Sequence, residues 1–247
     1  MPRQKRITIN GFYHIINRGV ERRNIFLNKE DYEKFLLILK DVSNGFNFTI
    51  HAFCLMSNHY HLLIETKSEN ISDAIQKLNA SYAVCFNTTY NRSGHLWQGR
   101  YQSYYINNDE HFWIVAKYIE RNPLKASIVS NLEAYKYQSY FYFLNSAELN
   151  DSIIVNSKIF DMNIADYKDF ILTPFDSNTQ KSVYGQHRNN KDVKDKKVLT
   201  QPISDFFQST DTRNEKIANC YKYGYTKAAI AEFLGLSKMM ITKILQN

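Results

Sequence analysis

Residues 46–65 read FNFTIHAFCLMSNHYHLLIE and are the most strand-like stretch of the chain. β-branched and aromatic residues dominate both residues 46–55 and residues 59–65, as they do in buried strands. Ser57 and Asn58 between them are turn-forming residues, so the two segments are predicted to pair as a β-hairpin. The segments on either side of this hairpin alternate between extended and helical patterns.

The flanking segments extend the hairpin into a complete fold. The predicted elements are a strand at 12–18, a helix capped by Asn28, the hairpin, a helix at 71–90 with Ser72 as its candidate cap, a strand at 100–106 and a helix at 110–121. The last helix must end near Asn122, because Pro123 disfavours helical geometry in the residue before it. The order βαββαβ followed by a helix predicts an α+β fold, a ferredoxin-like sheet with helices on one face and one added helix.

Length and composition exclude several classes of protein. The 247 residues allow one large domain, or a medium domain with a small one, and 44% hydrophobic with 22% charged residues exclude disorder, collagen and a disulfide scaffold. The sequence shows neither an apolar run of membrane-spanning length nor a signal peptide, so a cytoplasmic protein without a membrane partner is expected. Cys54, Cys85 and Cys220 lack CxxC spacing and are predicted to be reduced thiols without zinc.

The charge and aromatic content point toward nucleic acid. The formal net charge is +7, and 15% of the residues are aromatic. A basic surface attracts polyanions and flat rings stack on unpaired bases, so single-stranded nucleic acid is the first partner to consider. An ordinary solvated surface explains the same charge, and composition does not separate the two.

The second half of the chain is predicted to contain a linker and a small helical domain. Residues 181–197 carry six basic and two acidic residues and predict a basic linker. Three short helices follow, with small Ala231 at the crossing, Gly235 at the turn and Ser237 as N-cap, which is the helix-turn-helix pattern. The predicted domains are the α+β domain at 1–145, an extension with the linker at 146–210 and a helix-turn-helix domain at 211–247.

A helix-turn-helix domain implies duplex DNA as a second partner. The exposed face of its last helix is predicted to meet the major groove through Lys238, Met239, Thr242 and Lys243. In that arrangement some of these side chains read bases, whereas the lysines hold phosphates.

The clearest chemical signal is the sequence His59-Tyr60-His61. Residues two apart on a strand point to the same face, so both imidazoles can reach one divalent cation while Tyr60 points to the other face. A packed histidine pair is the commoner explanation of such a motif, and a third ligand is needed to favour a metal site.

Tyr118 and Asn122 provide that third ligand and a nucleophile. They are four residues apart and therefore lie on one face of the predicted helix. The Asn122 amide oxygen can bind a hard cation, and the Tyr118 phenol can attack a phosphate that the cation holds. Because the chain has 18 tyrosines, a packing role for Tyr118 is the alternative.

Four motifs occur in a fixed order: residues 13–19 (YHIINRG), 56–64 (MSNHYHLLI), 94–101 (GHLWQGRY) and 118–126 (YIERNPLKA). They resemble the REP-associated tyrosine transposases, relatives of the single-strand transposases of small insertion sequences in the HUH endonuclease superfamily. The resemblance spans about residues 8–140 and implies a nuclease domain that cuts single-stranded DNA near a hairpin through a 5′-phosphotyrosine link.

The resemblance also implies roles for individual residues. By position, His59 and His61 are the HUH histidines, Asn122 is the third metal ligand and Tyr118 is the nucleophile. Mg²⁺ or Mn²⁺ is the implied cofactor. The candidate DNA-contacting residues of this domain are Arg18, Arg22, Arg23, Trp97 and Arg100. For Trp97 and Arg100, a core aromatic ring and a surface salt bridge are the alternatives.

Two other functions fit parts of the sequence. One is a sequence-specific DNA-binding regulator with a silent nuclease-like domain, against which the intact histidine pair argues. The other is a structural RNA-binding domain, because ferredoxin-like sheets with aromatic faces also bind RNA. Both a monomer and a homodimer, in which a second subunit completes the site, agree with the sequence.

Overall fold

The computed structural model describes residues 8–145, 153–175, 203–208, 211–223, 225 and 227–245. The described residues form two compact units, one within residues 1–190 and one within 191–247. The basic linker predicted at 181–197 lies outside the described residues. The domain boundaries placed at residues 145 and 210 stay predictions.

The first unit is built on one antiparallel sheet. Its strands are β1 Gly11–Arg18, β2 Phe48–Met56, β3 His59–Thr66 and β4 Gln102–Ile106. They lie in the order β2-β3-β1-β4, and β2 and β3 form the predicted hairpin. This is the strand order of a ferredoxin-like fold, so the predicted fold class is confirmed.

Two helices cover one face of this sheet, α1 Lys29–Phe46 and α2 Ile71–Thr89. Their apolar stripes pack with the buried rings of Tyr13 and Tyr60 in the main core. Asn28 caps α1 as predicted, in a capping box with Asp31. Ser72 does not cap α2, which begins after Asn70; its hydroxyl instead accepts a hydrogen bond from Tyr101 at 3.3 Å.

A third helix, α3 Asp109–Glu120, covers the opposite face. Phe112, Val115 and Ile119 of this helix pack on Cys54 and Leu63 of the sheet. The two crossover helices α1 and α2 thus share one face, as predicted, and the added helix lies on the other face. The physical reason is that the central strands carry apolar residues on both faces, so both faces must be covered.

A break separates α3 from the short helix α4 Asn122–Lys125. Arg121 between them has φ −85° and ψ 0°, and Pro123 lies in the first turn of α4. The predicted end of the helix near Asn122 is therefore confirmed. The break places Asn122 at the start of a new turn, close below Tyr118.

Residues after α4 also pack on the first unit. Helix α5 Ser139–Leu144 follows, and α6 Ile164–Leu172 contributes Tyr167 and Ile171 to the main core. Ser157, before α6, donates from its hydroxyl to the His51 carbonyl oxygen on β2 at 2.8 Å. Residues 153–175 of the predicted extension are thus attached to the sheet and to α3.

The second unit is helical in its described residues. Its helices are α7 Ile203–Phe206, α8 Arg213–Tyr223, α9 Lys227–Leu234 and α10 Lys238–Ile244. Ala231 and Ile241 lie in its core, Gly235 has φ +63°, and the Ser237 hydroxyl caps α10 by accepting from Met240 N–H at 3.2 Å. The turn has the predicted local geometry, while its role in DNA binding stays a prediction.

Two further expectations concern cysteines and membranes. All three cysteines are unpaired; Cys54 and Cys220 are buried and Cys85 is half-buried. Within the described part of the chain, no helix is both long enough and apolar enough to cross a bilayer.

Candidate active site

A cleft of about 460 Å³ opens where β1 ends and β3 begins. Its lining comprises Ile16, Asn17, Arg18, His59, His61, Gln98, Gly99, Arg100, Gln102, Tyr118 and Asn122. All four residues that the sequence predicts as metal ligands or nucleophile belong to this lining. Residues from four separate parts of the chain thus meet in one place.

His59 and His61 stand on the same face of β3. Their ring centroids are 5.0 Å apart and their planes are nearly perpendicular, at 83°. Tyr60 between them points to the other face, where it is fully buried and donates from its hydroxyl to Asn79 Oδ1 at 3.0 Å. Strand alternation therefore gives the two imidazoles a common direction, as their spacing predicts.

Each imidazole has its Nδ1 atom engaged by a neighbour. His59 Nδ1 lies 2.6 Å from Asn58 Oδ1, and His61 Nδ1 lies 3.0 Å from His14 Nε2. Because an amide oxygen only accepts, neutral His59 carries its proton on Nδ1 and its lone pair on Nε2. Burial and, less strongly, the charge of Arg18 lower the pKa of His59 to about 4. This imidazole is therefore neutral at pH 7, the form that binds metals.

Tyr118 and Asn122 approach the histidines from α3 and α4. The half-buried Tyr118 ring lies 5.7 Å from the His61 ring, centroid to centroid, at 87°. Asn122 Nδ2 donates to the carbonyl oxygens of Tyr118 and Ile119 at 2.8 and 3.4 Å. The amide oxygen of Asn122 is then the atom through which it would bind a cation. All these residues belong to one chain, so Tyr118 reaches the histidines without a second subunit.

Arginines surround the cleft. Arg18 and Arg100 line it and are exposed, and Arg18 Nε donates to Gln98 Oε1 at 2.7 Å. Arg22 and Arg23 are also exposed, but they lie on the turn after β1 and outside the cleft lining. The predicted DNA-contacting arginines therefore divide into two inside the cleft and two beside it.

Trp97 does not line the cleft. Its half-buried ring packs against Tyr60 and Tyr82, with centroids 5.8 and 6.1 Å away, and its Nε1 donates to the Asn79 carbonyl oxygen at 2.9 Å. These contacts favour the core-aromatic alternative over base stacking.

The candidate DNA-reading residues of the second unit lie on α10. Met239 is 72% exposed, Lys243 is exposed and Thr242 is partly exposed, whereas Ile241 on the other side is buried. The side chain of Lys238 lies outside the described part of the structure. The face predicted to meet DNA is thus accessible at the three residues whose side chains are described.

Sequence reasoning missed three residues beside the site. His14 stacks on His61 with ring centroids 5.2 Å apart, and its ring lies 5.8 Å from that of Tyr118. Lys125 Nζ is 5.3 Å from the Tyr118 ring centroid, and Gln102 lines the cleft. For His14 a sequence signal was available: strand alternation in β1 places it on the face opposite its neighbours Tyr13 and Ile15, which pack in the main core.

The chemistry of the cleft residues fits a divalent metal ion. Two imidazoles and one amide oxygen from His59, His61 and Asn122 form a mixed donor set, which Mn²⁺ tolerates better than Mg²⁺. Among the described residues, no three histidine, cysteine or carboxylate side chains converge on a common point. The remaining ligands would therefore be substrate oxygens or water.

Comparisons with known proteins found a family model and solved structures that are similar to this chain. Residues 8–122 match the family model described as "Transposase IS200 like". No curated protein sequence matches the chain significantly. A solved REP-associated tyrosine transposase bound to a REP hairpin is 18% identical, with 60% of this chain and 87% of that chain covered and a TM-score of 0.52.

A provisionally assigned transposase from Deinococcus radiodurans R1 is 20% identical, with 52% of this chain and 95% of that chain covered. Its TM-score of 0.35 is too low to inform the fold. The REP-associated structure shares the fold, and the family match includes every residue of the candidate metal and nucleophile set. Residues 8–122 of the chain are thus similar to the IS200-like transposases.

Proposed function

We propose that the first unit cuts and rejoins single-stranded DNA, with Tyr118 as nucleophile beside a divalent cation held by His59, His61 and Asn122. The observation that carries this proposal is the position of the Tyr118 ring, 5.7 Å from the His61 ring in the same cleft as the other two residues. The match of residues 8–122 to a transposase family model supports DNA as the substrate.

The proposed substrate is a single strand next to a hairpin. The related solved structure holds a REP hairpin. In this chain the cleft is open and carries Arg18 and Arg100, whose guanidinium groups match phosphate oxygens. A single strand can place its phosphodiester in such a cleft with its bases turned outward. The exposed Arg22 and Arg23 beside the cleft would then contact the backbone of the adjoining hairpin.

The proposed reaction is a phosphoryl transfer to tyrosine. Tyr118 Oη attacks phosphorus; the new O–P bond forms as the P–O3′ bond breaks. The phenolic proton passes to solvent, and the departing 3′-oxygen takes up a proton. The products are a 5′-phosphotyrosine and a free 3′-hydroxyl. Because the linkage conserves a phosphate ester, a 3′-hydroxyl can attack it in reverse and join two strands without ATP.

Neighbouring residues prepare Tyr118 for this role. The rings of His14 and His61 stand edge-on to its ring and restrict its orientation. The Lys125 ammonium group lies over the same ring, 5.3 Å from its centroid, in a cation–π contact. A bound divalent ion would supply positive charge to the non-bridging phosphate oxygens.

Trapping of the covalent intermediate tests the proposal. Full-length protein, Mn²⁺ and single-stranded hairpin DNA labelled at its 3′ end are mixed and resolved on a denaturing gel. The label should migrate with the protein for the native chain and for Tyr221→Phe, an exposed tyrosine of the second unit, but not for Tyr118→Phe. An adduct that persists in Tyr118→Phe, or its absence with every hairpin tried, would contradict the proposal.

The exposed face of α10 supports a second activity, duplex DNA binding by the second unit. Lys243→Glu in the full chain should weaken duplex binding and leave adduct formation on single strands intact. Lys222→Glu on α8 is the matched control, since it is an exposed lysine with the same charge change. Equal losses in the two variants would argue against recognition by α10. Duplex binding without any adduct would favour the silent-nuclease alternative.

A further inference from the structure

His14 is a fully buried histidine next to the candidate metal ligands. It lies on β1, where it pairs with Leu63, while His61 pairs with Ile16, so the two histidines are diagonal neighbours on one face of the sheet. His14 Nε2 and His61 Nδ1 are 3.0 Å apart, and the rings are stacked at 29°. Such a distance between two ring nitrogens is a hydrogen bond with one shared proton.

Only one placement of that proton suits metal binding by His61. Asn58 Oδ1 already fixes His59 with its proton on Nδ1 and its lone pair on Nε2. If His61 donates from Nδ1 to His14 Nε2, it has the same tautomer as His59 and also presents Nε2 as the ligand atom. His14 must then carry its own proton on Nδ1.

We infer that His14 is a positioning residue for the candidate metal centre: it accepts the Nδ1 proton of His61 and fixes Nε2 of His61 as the metal-binding atom. Asn58 has the same relation to His59. This inference rests on the proposed metal-binding role of the two histidines. In this inference His14 contacts neither metal nor DNA. Neither His14 nor Asn58 is among the residues that line the cleft.

The contacts of His14 with His61 and of Asn58 with His59 do more than fill space. A phenylalanine ring could fill the space of His14, but it could not accept a proton at 3.0 Å from His61 Nδ1. Metal-bound histidines commonly donate their second ring N–H to such a partner, and loss of the partner weakens metal affinity about 10–100-fold. The two histidines are held from different sides, one by β1 and one by the β2–β3 turn.

Asn58 extends this arrangement to the basic turn. While its Oδ1 accepts from His59, its Nδ2 donates to the Arg22 carbonyl oxygen at 3.2 Å. The same amide thus orients one ligand and fixes the turn that carries Arg22 and Arg23. Asn58 would therefore position both the turn proposed to bind DNA and the proposed metal ligand His59.

The first test measures metal affinity with Mn²⁺ alone. Full-length native chain, His14→Phe and His14→Gln are titrated with Mn²⁺, and free Mn²⁺ is followed by its electron paramagnetic resonance signal. His14→Phe should weaken binding about 10–100-fold, and His14→Gln, whose side-chain oxygen can accept the proton, should bind within roughly threefold of the native chain. Unchanged affinity in a folded His14→Phe protein would overturn the inference.

The second test needs no metal, no variant and no activity. Nitrogen chemical shifts of the imidazole rings in the metal-free native chain report which nitrogen of His61 carries the proton. The inference requires Nδ1; a proton on Nε2 of His61 would overturn it even if His14→Phe failed to fold. A native chain with the required tautomer and Mn²⁺ binding, but with no DNA adduct, would refute the proposed nuclease and leave the role of His14 standing.

Discussion

The hydroxyl of Ser139 donates a hydrogen bond to Glu120 Oε1 at 2.5 Å, in a part of the core that solvent does not reach. The backbone N–H of Tyr140 donates to the other carboxyl oxygen at 3.0 Å, and the Tyr167 hydroxyl lies 3.4 Å from Oε1. Glu120 follows Tyr118 by two residues on α3. These bonds therefore tie the helix of the candidate nucleophile to α5 and α6.

Glu120→Gln should remove a pH dependence of stability. Burial raises the pKa of Glu120 from 4.5 to about 8. Because the folded state holds this proton more tightly than the unfolded chain, the stabilisation is complete below pH 4.5 and is lost as the pH rises toward 8, by up to about 1.4 kcal/mol per pH unit. Urea unfolding of the metal-free protein from pH 5 to 8 measures this loss, and parallel curves for native chain and variant would contradict it.

Arg121→Ala should loosen α6 from α3. The Arg121 guanidinium donates to the carbonyl oxygens of Ile171 and Leu172 at 2.6 and 2.8 Å, at a helix end where carbonyls lack helical partners. Loss of both bonds should lower the free energy of unfolding by about 1–3 kcal/mol. Amide hydrogen exchange in α6 should accelerate, and Arg121→Lys should restore part of the protection. Unchanged exchange in Arg121→Ala would show that the apolar contacts of α6 suffice.

Local pattern decided most of the fold. Strand-forming residues on either side of the turn residues Ser57 and Asn58 predict the hairpin, and the cap Asn28 predicts a helix start, because both signals depend on neighbours in sequence. The side of the sheet that α3 covers was not predictable, since helical periodicity defines an apolar stripe but not the surface it meets. Ser72 was misassigned for a similar reason: its hydroxyl has a distant partner, Tyr101.

The same division holds at the candidate site. The common direction of His59 and His61 follows from spacing within one strand. Tyr118 and Asn122 lie on the consecutive helices α3 and α4, but their spacing of four residues still brings them together, with Asn122 Nδ2 donating to the Tyr118 carbonyl oxygen. The contact of His14 with His61 depends on the register between β1 and β3, which no local pattern specifies.

The core position of Trp97 is likewise a product of tertiary packing. Its neighbours Tyr60 and Tyr82 lie on β3 and α2, so its environment could not be inferred from the motif at residues 94–101. The motif alone therefore left stacking on a base and packing in the core as equal alternatives.

Gly19→Ala should distort the basic turn after β1. A Cβ at Gly19 would lie 2.3 Å from the Arg23 carbonyl oxygen, so the backbone of the turn must shift. We expect a loss of roughly 1–3 kcal/mol in unfolding free energy and weaker hairpin DNA binding. The control is Gly45→Ala in α1, where a Cβ meets nothing within 4 Å and the helix should gain about 0.5–1 kcal/mol. Destabilisation of equal size in both variants would show that the close contact at Gly19 is not the cause.

Arg18→Ala and Arg100→Ala should each reduce the salt dependence of single-strand binding. If each guanidinium neutralises one phosphate, the slope of log K against log salt should fall in magnitude by about 0.7 per variant. Lys34→Ala, an exposed lysine of α1 that is not among the cleft-lining residues, should leave the slope unchanged. Fluorescence anisotropy with a labelled hairpin measures these slopes. A fall in affinity without a change in slope would assign the two arginines a packing role instead.

Two inactive variants should fail to rescue each other. The ring centroids of Tyr118 and His61 are 5.7 Å apart within a single chain, so each chain supplies both residues of its own site. A chain that lacks one of them cannot obtain it from another chain. A mixture of Tyr118→Phe with His61→Ala should therefore form no DNA adduct above the sum of the separate proteins. If subunits exchanged α3, each mixed dimer would contain one intact site, and random pairing of equal amounts would restore adduct formation to about a quarter of the native level. Recovery on that scale would mean that the intramolecular contact is not the arrangement that cuts DNA.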